Sequence, residues 1–250
     1  MDLTTVTSYR LAHGRDDLVL APGEAFVAGG TWLFSEPQPD LTGLVDLTAL
    51  GWPDTEPQPG GGLRISATCP VSVVRDLGPA LFRDCADALL MSWKIQHEAT
   101  VGGNLVLALP AGGIISLAAG LAGEVVLWTP DGGERREPVT AFVRGAGLTG
   151  LRRGEVLRAV DLPGPALAAP AAYRRAALAP RGRSGVVVVG LRDPRGVRVT
   201  ITAATTRPVV VRSLAEVAAV DCWYDDVHGA PDWRAAVTAR LVAEVLEELS

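Results

Sequence analysis

Ala25-Phe-Val-Ala-Gly-Gly-Thr31 and Ala99-Thr-Val-Gly-Gly-Asn104 are the stretches that set the reading of this chain. The first is a short apolar run that reaches a Gly-Gly pair followed by Thr31, and in the second the Gly-Gly pair follows Thr100 and Val101. A loop that takes a phosphate needs main-chain N–H groups free to point at it and no side chain in the way, and such a pair meets both needs. A lone Gly-Gly after a strand is more often only a tight turn. Neither stretch matches Gly-x-Gly-x-x-Gly with its helix and downstream acid, which disfavours a Rossmann site. Gly-x-x-x-x-Gly-Lys-Ser/Thr is absent too, which removes the P-loop.

Outward from these stretches, composition narrows the classes. The chain has 250 residues, 28 Gly and 18 Pro, and is 48% hydrophobic and 20% charged. It is too apolar for disorder and long enough for one large domain or two modest ones with a sizeable core. No apolar run reaches membrane-spanning length before Pro, Gly or charge interrupts it. The first residues, MDLTTVTSYR, lack the apolar segment of a secretory signal, so a cytoplasmic protein is expected. Asp and Glu number 28 against 23 Lys and Arg, a net charge of −5, which argues against a nucleic-acid polymer as main partner. Cys69, Cys85 and Cys222 lie far apart with no Cys-x-x-Cys and read as reduced thiols, not a disulfide, zinc or iron–sulfur set. Asp225, Asp226 and His228 precede Pro231 and read as a turn and helix cap, not metal ligands.

Along the chain, residues 25–28 and 44–47 read as strands, and 55–62 (TEPQPGGG) as a loop without regular structure. A strand at 63–67 precedes helices at 71–77 and 79–93, the second with Leu81, Phe82, Cys85, Leu89 and Leu90 at helical spacing. A small-residue helix at 114–121 leads to a hairpin, 124–129 and 135–139, and then to a strand at 155–162. Residues 164–170 (GPALAAP) read as a linker. Three strands follow at 171–177, 185–192 and 197–204, then helices at 213–220 and 232–249, the last with an apolar stripe from Trp233 to Leu249. The whole is an α+β assembly with a break near Gly164.

Val27-Ala-Gly-Gly-Thr31, Leu44-Val-Asp-Leu47, Gly62-Leu-Arg-Ile-Ser-Ala67, Ala99-Thr-Val-Gly-Gly-Asn104 and Pro110-Ala-Gly112 occur in that order. Glu124-Val-Val-Leu127, Asp131-Gly-Gly-Glu-Arg135 and Arg153-Gly-Glu-Val-Leu157 follow. The tail, Asp226-Val-His-Gly-Ala-Pro-Asp-Trp-Arg234, has an aromatic-Arg pair where the final helix begins. This ordered set resembles the FAD-binding medium subunit of the molybdenum hydroxylases, the family of xanthine dehydrogenase and carbon monoxide dehydrogenase, over nearly the whole chain.

The resemblance implies a two-lobed FAD-binding domain of the vanillyl-alcohol-oxidase (PCMH) type at residues 1–163, with lobes at about 1–56 and 60–163. A small α+β C-terminal domain at 171–250 would follow. It implies that Val27, Ala28, Gly29, Gly30, Thr31, Trp32 and Leu33 line the FAD from the first lobe, amides and the Thr31 hydroxyl on its pyrophosphate. Thr100, Val101, Gly102, Gly103 and Asn104 would face it from the second lobe, with Arg175 where the family has a Lys. The implied partners are a molybdopterin-binding large subunit and a 2Fe–2S small subunit, in a heterotrimer or its dimer. The chain would then take electrons from iron–sulfur clusters and pass them to NAD, oxygen or a quinone. The cofactor carries that chemistry, so neither a catalytic residue nor a metal ligand is expected here.

Four positions depart from the family pattern. Gln96 and His97 stand where an Arg-Asn pair is usual, Gly113 where an Asp is usual, and Arg175 where a Lys is usual. These changes bear on the ribose and isoalloxazine contacts more than on the pyrophosphate. Trp32 either packs near the flavin or anchors its loop in the core. Two other function classes fit the same residues: a stand-alone FAD-dependent oxidoreductase of specialised metabolism, and a scaffold subunit that has lost FAD.

Overall fold

A computed structural model describes residues 3–88 and 90–250. The chain opens with three strands, β1 (Ser8–Leu11), β2 (Glu24–Val27) and β3 (Gly43–Asp46), which form a parallel sheet in the order β1-β3-β2. The central β3 is buried on both faces. One face puts Ala12, Leu18, Val45 and Leu47 together, and the other packs Leu44 with Val27 and Leu41.

After Trp52 the chain crosses into a second unit. β4 (Thr55–Gln58) and β5 (Gly62–Ser66) precede five helices: α1 (Val71–Arg75), α2 (Ala80–Asp87), α3 (Trp93–Glu98), α4 (Val101–Leu107) and α5 (Gly113–Gly120). A hairpin of β6 (Glu124–Trp128) and β7 (Glu134–Pro138), the short α6 (Val139–Phe142) and a ribbon of β8 (Val143–Gly145) and β9 (Leu148–Thr149) lead to β10 (Val156–Leu162). The five long strands form an antiparallel sheet ordered β4-β5-β10-β6-β7.

The remaining chain contains α7 (Gly164–Ala168), then β11 (Ala171–Ala176), β12 (Val186–Asp193), β13 (Gly196–Thr202) and β14 (Val209–Val211) in an antiparallel sheet of sequential order. Helices α8 (Leu214–Ala218) and α9 (Pro231–Glu248) follow. The run of valines in β12 has no solvent-facing side. Val187, Val189 and Leu191 join the core that contains Leu117 of α5, while Val186 and Val188 pack with Val242 and Val245 of α9. A strand covered on both faces reads as a continuous apolar run, not an alternating one. Every residue of α5 is buried, as expected of a helix apolar all round. The second and third units therefore share one core, joined by a hydroxyl pair, Ser116 Oγ to Thr202 Oγ1 at 2.6 Å.

Four sequence expectations change. Residues 55–58 are not loop but the edge strand β4, paired with β5 through Thr55 to Gln58. The helix expected over 79–93 ends at Asp87, and Leu90 takes a left-handed φ of 51° before α3 begins at Trp93. Residues 164–168 form α7 rather than an open linker, seated so closely on the 59–61 turn that a Cβ on Gly164 would stand 2.7 Å from the Gly61 carbonyl carbon. Strands β1 and β14 lie outside the expected elements; both are edge strands of four and three residues, too short to show a period-2 signal.

Candidate cofactor site

The first glycine pair stands just after the end of β2. Val27 closes the strand, and its carbonyl accepts from Leu47 N at 2.8 Å. The chain then turns: Phe34 N donates to Gly30 O at 2.9 Å and Ser35 N to Trp32 O at 2.9 Å. Gly30 has a φ of 65°, and a side chain there would put its Cβ 2.7 Å from Cδ2 of the Phe34 ring. A non-glycine residue is disfavoured twice, by backbone and by space. Among the described residues, the N–H groups of Gly29, Gly30, Thr31, Trp32 and Leu33 donate no hydrogen bond within the protein. These residues are only partly buried, so their amides are open to a ligand, and successive main-chain N–H groups in a turn can cradle an anion.

The second pair is not a loop. Thr100 caps α4, its hydroxyl accepting from Gly103 N at 3.2 Å, and Gly102 and Gly103 occupy the helix's first turn. Val101 N donates to Cys69 O at 2.9 Å, and Gly102 N to Ala67 O at 2.8 Å. A Cβ on Gly102 would lie 2.8 Å from both Cβ and O of Ala67, so glycine is needed for this close approach. Gly103 is exposed, and a Cβ there would meet only Thr100 Oγ1, at 3.2 Å. Asn104 turns its Oδ1 to Ile114 N at 3.1 Å, capping the start of α5. From this stretch the hydroxyl of Thr100, the open face of Gly103 and the Asn104 amide nitrogen are left for a ligand.

The fold brings the two stretches together. A Cβ on Gly29 would overlap the Glu98 carbonyl, 2.7 Å from its carbon and 3.3 Å from Ala99 Cα. The first turn thus lies against the α3–α4 junction, and only a residue without a side chain allows it. Ala67 and Glu98 are the residues that spacing alone missed. Both act through their main chain across a non-local contact, so no side-chain pattern marks them.

The other expected positions are placed as follows. The side chain of Leu33 packs on the cluster of Val27, Leu41 and Leu44, leaving its amide as the group it can offer. Ala28 is half-buried in the turn, and Trp32 is 38% exposed on it. Arg175 lies on β11, where its guanidinium donates to Ser184 Oγ at 2.7 Å and to the Gly182 carbonyl, within the C-terminal unit. Ser184 in turn donates to Ala88 O at 3.0 Å, tying that loop to the end of α2. Gln96 reaches Asp87 at 3.3 Å, His97 stacks on Trp93 with ring centroids 4.5 Å apart, and Gly113 is buried at the start of α5.

Ionisable groups near the glycine stretches are few. Burial, reinforced by Asp54, pushes the Cys69 thiol up to about 12, and burial also raises Cys85. Thiols so protonated are not nucleophiles at neutral pH. Among the described residues no three His, Cys, Asp or Glu side chains gather closely enough to hold a metal ion. No described helix is long and apolar enough to cross a membrane. The site offers neutral amides and hydroxyls, which suit a diphosphate and leave redox work to whatever carries it.

Comparison with known proteins agrees with this chemistry. Residues 14–165 match the family model described as the FAD binding domain in molybdopterin dehydrogenase. Among solved structures, quinoline 2-oxidoreductase from Pseudomonas putida 86 superposes with a TM-score of 0.81 at 20% identity, covering 100% of this chain and 98% of that one. Carbon monoxide dehydrogenase from Hydrogenophaga pseudoflava gives 0.83 at 16% identity, covering 98% and 97%. CO dehydrogenase from Oligotropha carboxidovorans gives 0.82 at 18%, covering 97% and 96%. No curated protein matches in a sequence search.

Proposed function

The chain belongs to the family of FAD-binding domains in molybdopterin dehydrogenases, and from that membership we propose that it is the electron-transfer subunit of a multi-subunit molybdenum hydroxylase. In this reading it takes electrons from iron–sulfur clusters on a 2Fe–2S small subunit, in a complex with a molybdopterin-binding large subunit, and delivers them to an acceptor such as NAD or a quinone. The complex works in the cytoplasm. The observation that supports the reading best is the row of unpaired amides from Gly29 to Leu33, set against the α3–α4 junction.

FAD is the group these residues fit. The amides of Gly29 to Leu33 and the Thr31 hydroxyl would hold its pyrophosphate, with Thr100, Gly103 and the Asn104 amide nitrogen as the groups offered by the second stretch, and Val27, Ala28, Val101 and Gly102 would shape the two walls. Trp32, 38% exposed on this turn, would border the bound cofactor. Arg175 fixes the loop that ends at Ser184, and so sets how the C-terminal unit borders the site. Bound FAD accepts and releases one or two electrons, which lets single-electron clusters be coupled to a two-electron acceptor.

Gly30→Val tests the cradle. The wild-type protein should purify yellow or bind added FAD stoichiometrically, and the variant should do neither while keeping its far-UV circular dichroism. Stoichiometric flavin in Gly30→Val would exclude the first turn as the pyrophosphate site. A control, Gly14→Ala, adds a Cβ with nothing within 4 Å and should leave FAD in place. Copurification with an iron–sulfur and a molybdopterin subunit tests the assembly.

A further inference from the structure

Between the parallel sheet and the five-stranded sheet lies a cationic and aromatic seam outside the cofactor cradle. Arg158 on β10 is at its centre, with a side chain only 9% exposed. Its guanidinium lies 4.6 Å from the Trp52 ring centroid and 5.9 Å from that of Trp128. Trp52 and Trp128 meet edge to face at 5.1 Å. Arg158 Nη2 donates to Glu56 Oε1 at 2.6 Å. Arg15, from the N-terminal unit, covers Trp128 at 4.0 Å and donates to the Gly132 and Gly133 carbonyls of the β6–β7 turn. Trp52 and Glu56 bracket the segment by which the chain crosses between the two sheets, so one buried guanidinium grips both ends of that crossover.

The main chain of the same residue leads to the cradle. Arg158 O accepts from Ala67 N at 2.9 Å, and Ala67 O accepts from Gly102 N at 2.8 Å. The first glycine turn, by contrast, follows β2 and moves with the N-terminal sheet. We infer that Arg158 is a positioning residue for the FAD site. Its side chain holds the crossover, and with it the N-terminal sheet, while its carbonyl holds Ala67 and through it Gly102, so both halves of the cradle are tied to this residue.

The energetics favour a positional role over a purely cohesive one. Nη1 of Arg158 is buried and has no hydrogen-bond partner among the described residues, a cost that an apolar residue would not carry. A planar guanidinium stacked on a ring and held by a carboxylate is fixed in orientation as well as distance. A Met or Leu would fill the seam and let the sheets slide.

The inference rests on the FAD reading, and its test separates the two. FAD affinity and dissociation rate are measured on the full-length chain by flavin fluorescence, at a temperature where each protein is fully folded. Arg158→Met is expected to raise the FAD Kd about ten-fold or more, chiefly through faster release. Glu56→Gln, at a one-third exposed carboxylate, removes the charge that anchors the guanidinium without disturbing packing and should raise Kd about three-fold. It decides the matter if Arg158→Met does not fold. Arg158→Lys keeps the charge but not the fork and should fall between wild type and Met. Arg240→Ala, which loses an exposed pair with Glu244, should bind FAD like wild type. A merely cohesive Arg158 would lower the melting temperature and leave the Kd of the folded protein unchanged, and that result would overturn the inference. Wild-type protein that refuses FAD would instead overturn the cofactor reading.

Discussion

Arg234 is 1% exposed, yet every donor direction it uses is met. Nε donates to Gly229 O at 2.7 Å, Nη1 to Gly185 O at 2.6 Å and Ala203 O at 2.5 Å, and Nη2 to Asp226 at 2.5 Å. It ties the start of α9 to β12, to the end of β13 and to the turn before the helix. Arg234→Met should cost about 3–5 kcal/mol, because three buried carbonyls and a carboxylate lose their partner at once. Urea denaturation followed by circular dichroism measures the loss, with the transition midpoint falling and its slope unchanged. At this scale the sequence was partly legible. The Trp233-Arg234 pair stood out at the start of the last helix, and so did Gly29, Gly30, Gly102 and Gly103. What each glycine avoids did not, since Glu98 and Ala67 meet them through space.

Among the elements, α5 decides how the C-terminal sheet is seated. It is buried on all sides and carries one hydroxyl, Ser116, which meets Thr202 on β13 at 2.6 Å and donates to Gly112 O at 3.0 Å. Ser116→Ala should destabilise by about 1–3 kcal/mol, because it strands the Thr202 hydroxyl in an apolar interior. Adding Thr202→Val should cost less than the sum of the two single changes, since neither polar group is then left alone. A double-mutant cycle in denaturant measures the difference. The helix at 113–120, the hairpin of β6 and β7 and the strands β10 to β13 were legible from apolar runs and turn residues. The edge strand β4 was not. Its sequence, TEPQ, carries a Pro and no apolar alternation, and it is a strand only because β5 offers an unpaired edge. Helix α3 has no buried residue to give it a stripe. Helix α4 hides its start under a Gly-Gly pair that reads as loop.

For the molecule as a whole, the proposed cofactor cradle joins the N-terminal sheet to the start of α4, so ligand and fold should be thermodynamically linked. FAD at about 100 times its Kd should stabilise the folded chain by about 2.7 kcal/mol. For a chain of this size that is a rise in melting temperature of roughly 5–10 °C. Thermal scans with and without FAD measure it, and Gly30→Val should show no rise. A colourless wild-type protein whose melting temperature ignores FAD would point to the scaffold reading instead.

The sequence by itself determined the α+β class, the order of most elements, the two glycine pairs and, through the order of its motifs, the family. Those are local or collinear properties: apolar period, turn chemistry, and which residue types occur in which order. Only the tertiary structure decided that the first pair lies against the residues just before the second, that one is a turn with unpaired amides and the other a helix start, and that an arginine far along the chain is joined to the second through Ala67. Each of these depends on main-chain groups meeting across a seam between sheets. Main-chain groups are the same at every residue, so a sequence cannot mark where they meet. The 28 glycines show which positions allow close approach, and the packing of sheet on sheet shows what approaches.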